Sequence, residues 1–362
     1  MYIPEAILTV MRKNNKGITI YDIAEKLKVS PTTVSRALND HHSISKETTL
    51  SVKKLAKKMG YRPNSVASNL RKNKTNTIGV IVPLINRPFI AALISGIEDT
   101  ASQSDYNVII SQTYDSYKKE VATAHTLYSS RVDGLIVSLA METRQYDHFH
   151  AFLENKIPLI SVDRIAPELE TDCVAIDNHS AGFKATEHLI KMGCRRIAHL
   201  GGAQHRNTYR GRQQGYLDAL KKHNLPIDER LVVHSKLSME EGRESTKYLL
   251  GLPNPPDGIF SANDSAAVSA IQYAKLKGWH IPQDLAVIGF NNDPISSIIE
   301  PQLTTISHPA HDMGKIAAQQ ILRHQEYGHI VQSQNTVLKT EVIVRDSTQR
   351  KITTSSIHRN SA

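Results

Sequence analysis

The sequence TIYDIAEKLKVSPTTVSRALN, residues 19–39, decides the fold of the first part of the chain. Ser30 is placed to cap a helix whose first residue is Pro31, where the missing N–H costs nothing. One turn apart in that helix, Thr32 and Arg36 share a polar face. A preceding helix, a tight turn and a second helix with a polar face are typical of a helix-turn-helix unit.

Flanking signals extend this pattern to three short helices. Thr19 and Asp22 resemble a capping box ahead of the first helix. Ser45 opens the third helix, which carries apolar residues at helical spacing and ends before Gly60. Three small apolar faces predict one small core.

The positive charge of the chain is confined to the same region. The whole chain carries a formal charge of +9, but residues 1–76 contain 15 basic and 5 acidic side chains, and the remainder has a net charge of −1. Such a segment suits a polyanionic partner, although a solvated lysine-rich face explains a charge run equally simply. On periodicity alone, the polar face with Thr32 and Arg36 is at least as well explained by solvation.

The cysteine content and the lack of membrane or secretory signals narrow the class of protein further. Two cysteines, Cys173 and Cys194, have neither the number nor the spacing of a disulfide scaffold or a zinc site, which favours a reducing compartment. No apolar run approaches the length of a membrane span, and the first residues lack the basic start of a secretory signal. We therefore expect a cytoplasmic protein. Recognisable structure begins near Gly17, so translation from either Met1 or Met11 fits the pattern.

From Thr77 the pattern changes to short apolar runs alternating with amphipathic helices. The runs are IGVIV, YNVIIS, DGLIVS, IPLISVD, CVAID, RRIAHLGG, RLVVHS, DGIFSAN and LAVIGFNN. This alternation predicts parallel sheets covered by helices on both faces. Roughly ten strands exceed one small doubly wound sheet, so we predict two similar α/β halves in tandem.

Polar side chains recur directly after these apolar runs, and this recurrence predicts one polar cleft. Ligands bind in open α/β sheets beyond the carboxyl ends of the strands. Any single Asp or Asn here could equally be a helix cap. The set comprises Asn86, Asp163, Arg164, Asp177, Asn178, His205, Arg206, Asn263, Asp264, Asn291 and Asn292.

The residues of the head resemble the LacI/GalR repressors. The likeness starts with TIYDIAEKLKVSPTTVSRALN and SKETTLSVKKLAKKMGYRPNSVASNLRKNKTNTIGVIVP. It continues through RVDGLIV, AIDNHSAG, HRNTYRGRQQGY, FSANDSAA, LAVIGFNN and PQLTTISHP, over about residues 18–345.

The resemblance implies a small all-α helix-turn-helix head and hinge helix, joined to an α/β effector domain. That domain is expected to be periplasmic-binding-protein-like, with two doubly wound parallel-sheet subdomains. The expected boundaries are a disordered extension at 1–17, the head at 18–62, the hinge at 63–76, the effector and dimerisation domain at 77–345 and a disordered tail at 346–362. Within the effector domain, the N-subdomain is expected at 77–176 and 306–335 and the C-subdomain at 177–305 and 336–345.

The resemblance also implies a DNA-binding role for particular side chains. Residues matching Pro31, Thr32 and Arg36 face base edges, and Pro31 offers only apolar contact, so base reading is expected from Thr32 and Arg36. The hinge helix with Ala67 and Leu70 is expected to enter the minor groove. The full DNA-binding set is Tyr21, Ser30, Pro31, Thr32, Thr33, Ser35, Arg36, Asn39, Asn64, Ala67, Leu70 and Arg71.

For the cleft, the resemblance implies an effector pocket lined by Phe89, Asp163, Arg164, Asp177, Arg206, Thr208, Arg212, Asn263 and Asn291. At Asn291 the family usually has Asp. Together with the arginines, this departure predicts a less negative cleft and an effector with a carboxylate or phosphate.

No enzyme motif stands out. GGAQHRN lacks the G-x-G-x-x-G spacing, and no G-x-S-x-G turn occurs. His148 and His150 lack the partners of a metal site, so we interpret them as surface histidines and expect no cofactor, metal or catalysis. The leading hypothesis is a homodimeric repressor of carbohydrate-utilisation genes that binds a pseudo-palindromic operator and a sugar-like effector. The main alternative is a solute (sugar) binding protein without a DNA-regulatory role, against which the basic head and the missing secretory signal argue. An enzyme with a fused basic domain is a third, weaker alternative.

Overall fold

The computed structural model describes residues 18–61, 74–328 and 334–350. The chain divides into two compact units between residues 75 and 76. The predicted extension at 1–17 and most of the predicted hinge lie outside the described residues.

Within its described residues, the first unit contains three helices: α1 (Ile20–Leu27), α2 (Pro31–Leu38) and α3 (Lys46–Met59). The Ser30 side chain accepts a hydrogen bond from the Thr33 N–H, with Pro31 at the first helical position, as predicted. The small core is formed by Ile23, Ala24, Val34, Ala37, Val52 and Ala56. Their burial is what leaves the opposite face of α2 free to present polar side chains.

The second unit contains two six-stranded sheets. The first sheet has the order β11-β5-β4-β3-β1-β2 and the second β12-β10-β9-β8-β6-β7. All pairs are parallel except that of β10 with β12. The strands are β1 (Thr77–Val82), β2 (Asn107–Gln112), β3 (Gly134–Val137), β4 (Leu159–Val162), β5 (Asp172–Ile176), β6 (Ile197–Gly201), β7 (Val232–His234), β8 (Gly258–Ser261), β9 (Ala286–Asn291), β10 (Thr304–Ser307), β11 (Asn335–Leu338) and β12 (Val342–Ile343).

Helices connect successive strands, which confirms the predicted α/β class. Within the described ranges, none of them combines the length and apolar character that crossing a bilayer requires. They are α4 (Pro88–Ser102), α5 (Tyr117–Ser129), α6 (His150–Glu154), α7 (Asn178–Lys191), α8 (Asn207–Lys222), α9 (Met239–Leu250), α10 (Asp264–Leu276), α11 (Ile295–Ile298) and α12 (Ala310–Tyr327).

Three predicted boundaries require correction. β10 lies wholly in the second sheet, whereas the prediction changed subdomain at residue 306. β11 lies wholly in the first sheet, whereas the prediction placed residues 336–338 in the other subdomain. The predicted tail from 346 is wrong for residues 346–350, because the Ser347 hydroxyl donates to the Val287 carbonyl and Ser347 is fully buried. A polar segment without apolar periodicity can still be ordered when its hydroxyls complete the hydrogen bonds of a sheet.

Glycines let the covering helices pack at very short distance. A Cβ at Gly182 of α7 would lie 2.2 Å from the Arg212 carbonyl oxygen of α8, and one at Gly215 of α8 would lie 2.1 Å from the His179 carbonyl oxygen. The approach of α7 to α8 therefore requires the absence of a side chain at both positions. Arg212 lines the cleft described below, so this contact also positions a site residue.

We expect Gly182→Ala to lower the free energy of unfolding by about 1–3 kcal/mol, because the added methyl forces the two helices apart. Gly251→Ala is the matched control, since its Cβ would meet nothing closer than 3.3 Å. Urea unfolding followed by circular dichroism measures both variants. Equal stability of the two would contradict the close-contact interpretation.

Candidate functional site

The exposed face of α2 carries the two side chains predicted to read bases. Thr32 and Arg36 are exposed, and within the described residues neither side chain has a hydrogen-bond partner. Val34 and Ala37 of the same helix are fully buried. The helix therefore separates a packed face from a free polar face, and a guanidinium held this way can reach a planar acceptor pair.

The other side chains predicted to contact DNA differ in whether they already form hydrogen bonds within the protein. Ser30 is engaged in the cap with Thr33, and the Asn39 amide donates to the Ser35 carbonyl. Tyr21 is 68% exposed. Four predicted contacts, Asn64, Ala67, Leu70 and Arg71, lie outside the described residues.

A cleft of about 480 Å³ lies where the strands of both sheets end. Its walls come from the turns after β1, β2, β3 and β4 of the first sheet and after β6, β7, β8, β9 and β10 of the second. Parallel strands bring these turns to one edge, which is why the polar residues after them meet. Seven of the predicted effector residues line it: Phe89, Asp163, Arg164, Thr208, Arg212, Asn263 and Asn291.

Two predicted effector residues do not line the cleft. The Asp177 carboxylate accepts from the Ser180 N–H and caps α7, the alternative that applies to any Asp after a strand. Arg206 is buried and its guanidinium donates to the Met141 carbonyl oxygen at 3.3 Å. Arg206 therefore does not line the cleft but holds the lining residue Met141 in place by a hydrogen bond.

The charges of the cleft are balanced. Its lining has four basic side chains, Arg87, Arg164, Arg212 and Lys236, and four acidic ones, Asp115, Glu142, Asp163 and Asp293. The Arg164 guanidinium donates to Asp115 at 2.6 Å. The prediction was of a less negative cleft, and the balanced lining carries no positive excess. An effector with a carboxylate or phosphate stays a prediction.

The deepest polar group is formed around Asp163. This residue has φ of 61°, uncommon for a residue with a side chain, and its Oδ1 lies 3.8 Å from the buried His308 Nε2. Burial raises the pKa of the Asp163 carboxyl, against the attraction of Arg212 and Arg164. Burial also holds the pKa of His308 well below its usual value, so the imidazole is neutral.

Arg212 spans the cleft floor. Its guanidinium donates to Asn178 Oδ1 at 2.9 Å and to the Ala262 carbonyl at 2.8 Å, and it lies 3.5 Å from the centroid of the Phe290 ring. A buried arginine held by neutral acceptors keeps its charge available to a nearby anionic group, and here that group is Asp163.

Sequence reading missed several lining residues. They are Arg87, Tyr114, Asp115, Met141, Tyr209, Lys236, Asp293 and His308, among others. His308 follows β10 in the same way that Asn291 ends β9, so the rule of polar residues after strands would have found it had TTIS been recognised as a strand. Tyr114 and Asp115 follow β2 after a two-residue offset, which hid them.

A buried carboxylate orders the turn that carries Met141. Glu120 is fully buried, and its carboxylate accepts from the Ala140 N–H at 2.6 Å, the Thr143 hydroxyl at 2.7 Å and His148 Nε2 at 3.1 Å. The prediction that His148 is a surface histidine was therefore wrong, whereas His150 is exposed. Among the described residues, no group of three potential metal ligands occurs.

A second buried carboxylate holds the opposite wall. Asp264 Oδ2 accepts from the Asp293 N–H and Oδ1 accepts from the Thr305 hydroxyl, both at 2.7 Å. These bonds join the start of α10 to the turn after β9 and to β10, next to Asn263. Burial raises the pKa of Asp264 to about 7 and that of Asp293 to about 6.

The raised pKa of Asp264 predicts a pH-dependent stability. The unfolded carboxyl loses its proton near pH 4, whereas the folded one keeps it to about pH 7, so the free energy of unfolding falls as pH rises through this window. We expect Asp264→Asn to remove that part of the slope, at most about 1.4 kcal/mol per pH unit. Urea unfolding at pH 5 and pH 8 measures it.

Glu154→Gln, at an exposed carboxylate, is the control and should leave the slope unchanged. The raised pKa of Asp293 also makes the free energy of unfolding fall with rising pH, and it does so in wild type, Asp264→Asn and Glu154→Gln alike. Only the difference between their slopes therefore reports on Asp264. Parallel slopes for wild type and Asp264→Asn would contradict the assignment.

Two family models match the chain. The model described as bacterial regulatory proteins, lacI family, matches residues 19–64, and that of a periplasmic binding protein-like domain matches residues 186–348. The first covers the three helices and the second covers all six strands of the second sheet.

Curated relatives match nearly the whole chain. The HTH-type transcriptional repressor CytR of Escherichia coli K12 is 33% identical over 93% of this chain and 98% of its own length. The HTH-type transcriptional regulator DegA of Bacillus subtilis is 34% identical over 91% of this chain and 98% of its own length.

Solved structures share the fold. The transcriptional regulator CelR in complex with cellobiose is 27% identical, with a TM-score of 0.69 over 91% of this chain and 99% of that chain. The lac repressor dimer bound to operator and an anti-inducer has a TM-score of 0.83 over 92% of this chain and 100% of that chain. Its identity of 24% makes it a likeness of fold alone.

Proposed function

Because the chain belongs to the LacI family of bacterial regulatory proteins, we propose that it is a transcriptional repressor whose α2 reads operator DNA and whose cleft binds a small effector. The observation that carries the proposal is the free polar face of α2, on which Thr32 and Arg36 stand exposed above a packed core. The basic charge of residues 1–76 supports contact with DNA phosphates.

In the proposed complex, Arg36 donates two hydrogen bonds to a guanine edge in the major groove, and Thr32 contacts the neighbouring base. The Ser30 and Asn39 side chains are engaged in helix caps, so their contribution is to hold α2 in place. Two such heads in a homodimer read a pseudo-palindromic site, because a two-fold protein matches a two-fold operator.

The effector occupies the cleft between the two sheets. Asp163, Asn263, Asn291 and Thr208 supply polar contacts, and Phe89 offers an apolar ring face. The relative crystallised with cellobiose supports a sugar-like ligand for this cleft. The balanced charges of the lining favour a ligand without net negative charge.

A direct hydrogen-bond link joins the two sides of the cleft. The Met141 carbonyl, on the turn after β3, accepts from His205 Nε2 at 2.6 Å and from Arg206. His205 and Arg206 lie on the turn after β6 of the other sheet. A ligand that favours one spacing of the sheets shifts this contact, and through it the equilibrium between two states of the repressor.

We expect Arg36→Ala to weaken binding to a specific site by about 1 to 3 kcal/mol and to leave binding to random DNA nearly unchanged, because base contacts carry specificity. The specific site is first selected from a random-sequence duplex pool with the wild-type protein. Fluorescence anisotropy at fixed salt then measures both affinities.

Arg144→Ala removes an exposed arginine from the second unit and is the matched control. It should change neither affinity. Equal losses of specific and nonspecific affinity on Arg36→Ala would show that Arg36 contacts only phosphates. Failure of the wild-type protein to enrich any sequence would overturn the repressor proposal and favour a solute-binding role.

A further inference from the structure

Two buried acceptor atoms face each other in the cleft. Asp163 Oδ1 and His308 Nε2 are 3.8 Å apart, and within the described residues neither atom has a hydrogen-bond partner. The His308 side chain is 1% exposed and that of Asp163 is 13% exposed. An unpartnered buried polar atom is costly, and two together are an unusual feature of a folded protein.

The role of each atom follows from its neighbours. The side-chain oxygen of Asn291 points to the His308 ring. Asn291 Oδ1 lies 3.2 Å from His308 Nδ1 and accepts its hydrogen. A neutral imidazole with hydrogen on Nδ1 has a bare lone pair on Nε2. His308 Nε2 is therefore an acceptor, as is the carboxylate oxygen opposite it.

The ring of His308 is held in this orientation. It lies against Phe89 at a centroid distance of 4.1 Å and meets Phe290 edge-on at 5.8 Å. Both rings are anchored by elements that line the cleft, α4 and β9. The acceptor pair is consequently preorganised, and it does not need to form when a ligand arrives.

We propose that this pair selects an effector bearing an amino group, whose nitrogen donates one hydrogen to Asp163 Oδ1 and one to His308 Nε2. This inference rests on the proposed function of the cleft as an effector site. A nitrogen with two or three hydrogens fits two facing acceptors, whereas a hydroxyl has one hydrogen and brings lone pairs of its own. A water molecule can bridge the same atoms in the free protein, and the ligand nitrogen replaces it.

The surrounding charges agree with this assignment. The Asp163 carboxylate lies at the pair, and it is one of the four acidic side chains that balance the four basic side chains of the lining. The effector class is thus a sugar-sized ring compound with an exposed primary amine.

The test uses the full chain and matched pairs of ring compounds that differ at one group. The probes are glucosamine against glucose, adenosine against inosine, and cytidine against uridine. Calorimetric titration should show the amino member of at least one pair binding about tenfold more tightly or better, the loss expected for a buried acceptor left unpaired. Equal or tighter binding of the oxygen-bearing members, or no binding by any amino member, overturns the inference.

His308→Phe keeps the ring and removes the acceptor, so it should abolish the preference for the amino member. Ser161→Ala, a buried hydroxyl outside the cleft lining, is the control and should retain it. Persistence of the preference in His308→Phe overturns the role of Nε2.

The histidine state is measured independently of any ligand. Nitrogen-15 spectra of the wild-type protein, with His308 assigned through its ring contact with Phe89, should show hydrogen on Nδ1 and none on Nε2. Hydrogen on Nε2 overturns the inference even if the variant does not fold. Operator affinity, measured on the same preparation, tests the proposed repressor function separately, so failure of one is distinguishable from failure of the other.

Discussion

The parallel arrangement of strands is the constraint on which the second unit depends. Every parallel strand ends at the same edge of its sheet, so the turns that follow must meet there. Two such sheets in one unit bring their turns to opposite walls of a single cleft. Residues far apart in the chain, such as Asp163 and His308, become neighbours for this reason alone.

Buried carboxyl groups then hold the turns at the edges of the two sheets in place by hydrogen bonds. Glu120 ties the turn after β3 to α5, and Asp264 ties the turn after β9, and β10 itself, to α10. Both are fully buried, and each is compensated by hydrogen bonds to backbone N–H groups or hydroxyls. Neither residue lines the cleft, yet each determines where lining residues lie.

In the first unit, the constraint is a small helical core that buries only one face of α2. Its small core takes only Val34 and Ala37 from α2 as buried residues, beside buried residues of α1 and α3, and the opposite face of α2 stays exposed to solvent. A helix cap at Ser30 and a proline at the first position define where the helix starts, and therefore which residues point outward. Arg36 is exposed because this helix start places it on the outward face of α2.

The sequence by itself determined the local structure: helix starts at Ser30 and Ser45, the change of period at residue 77, and the polar residues after buried strands. These follow from propensity, capping and periodicity, which act over a few residues. Only the tertiary structure decided which of these polar residues face one another. Asp177 became a cap and Arg206 a support, while His308 and the carboxylates that balance the cleft were unforeseen. Their placement depends on which strand lies beside which and on how long each turn is, and that is set by packing across the whole unit.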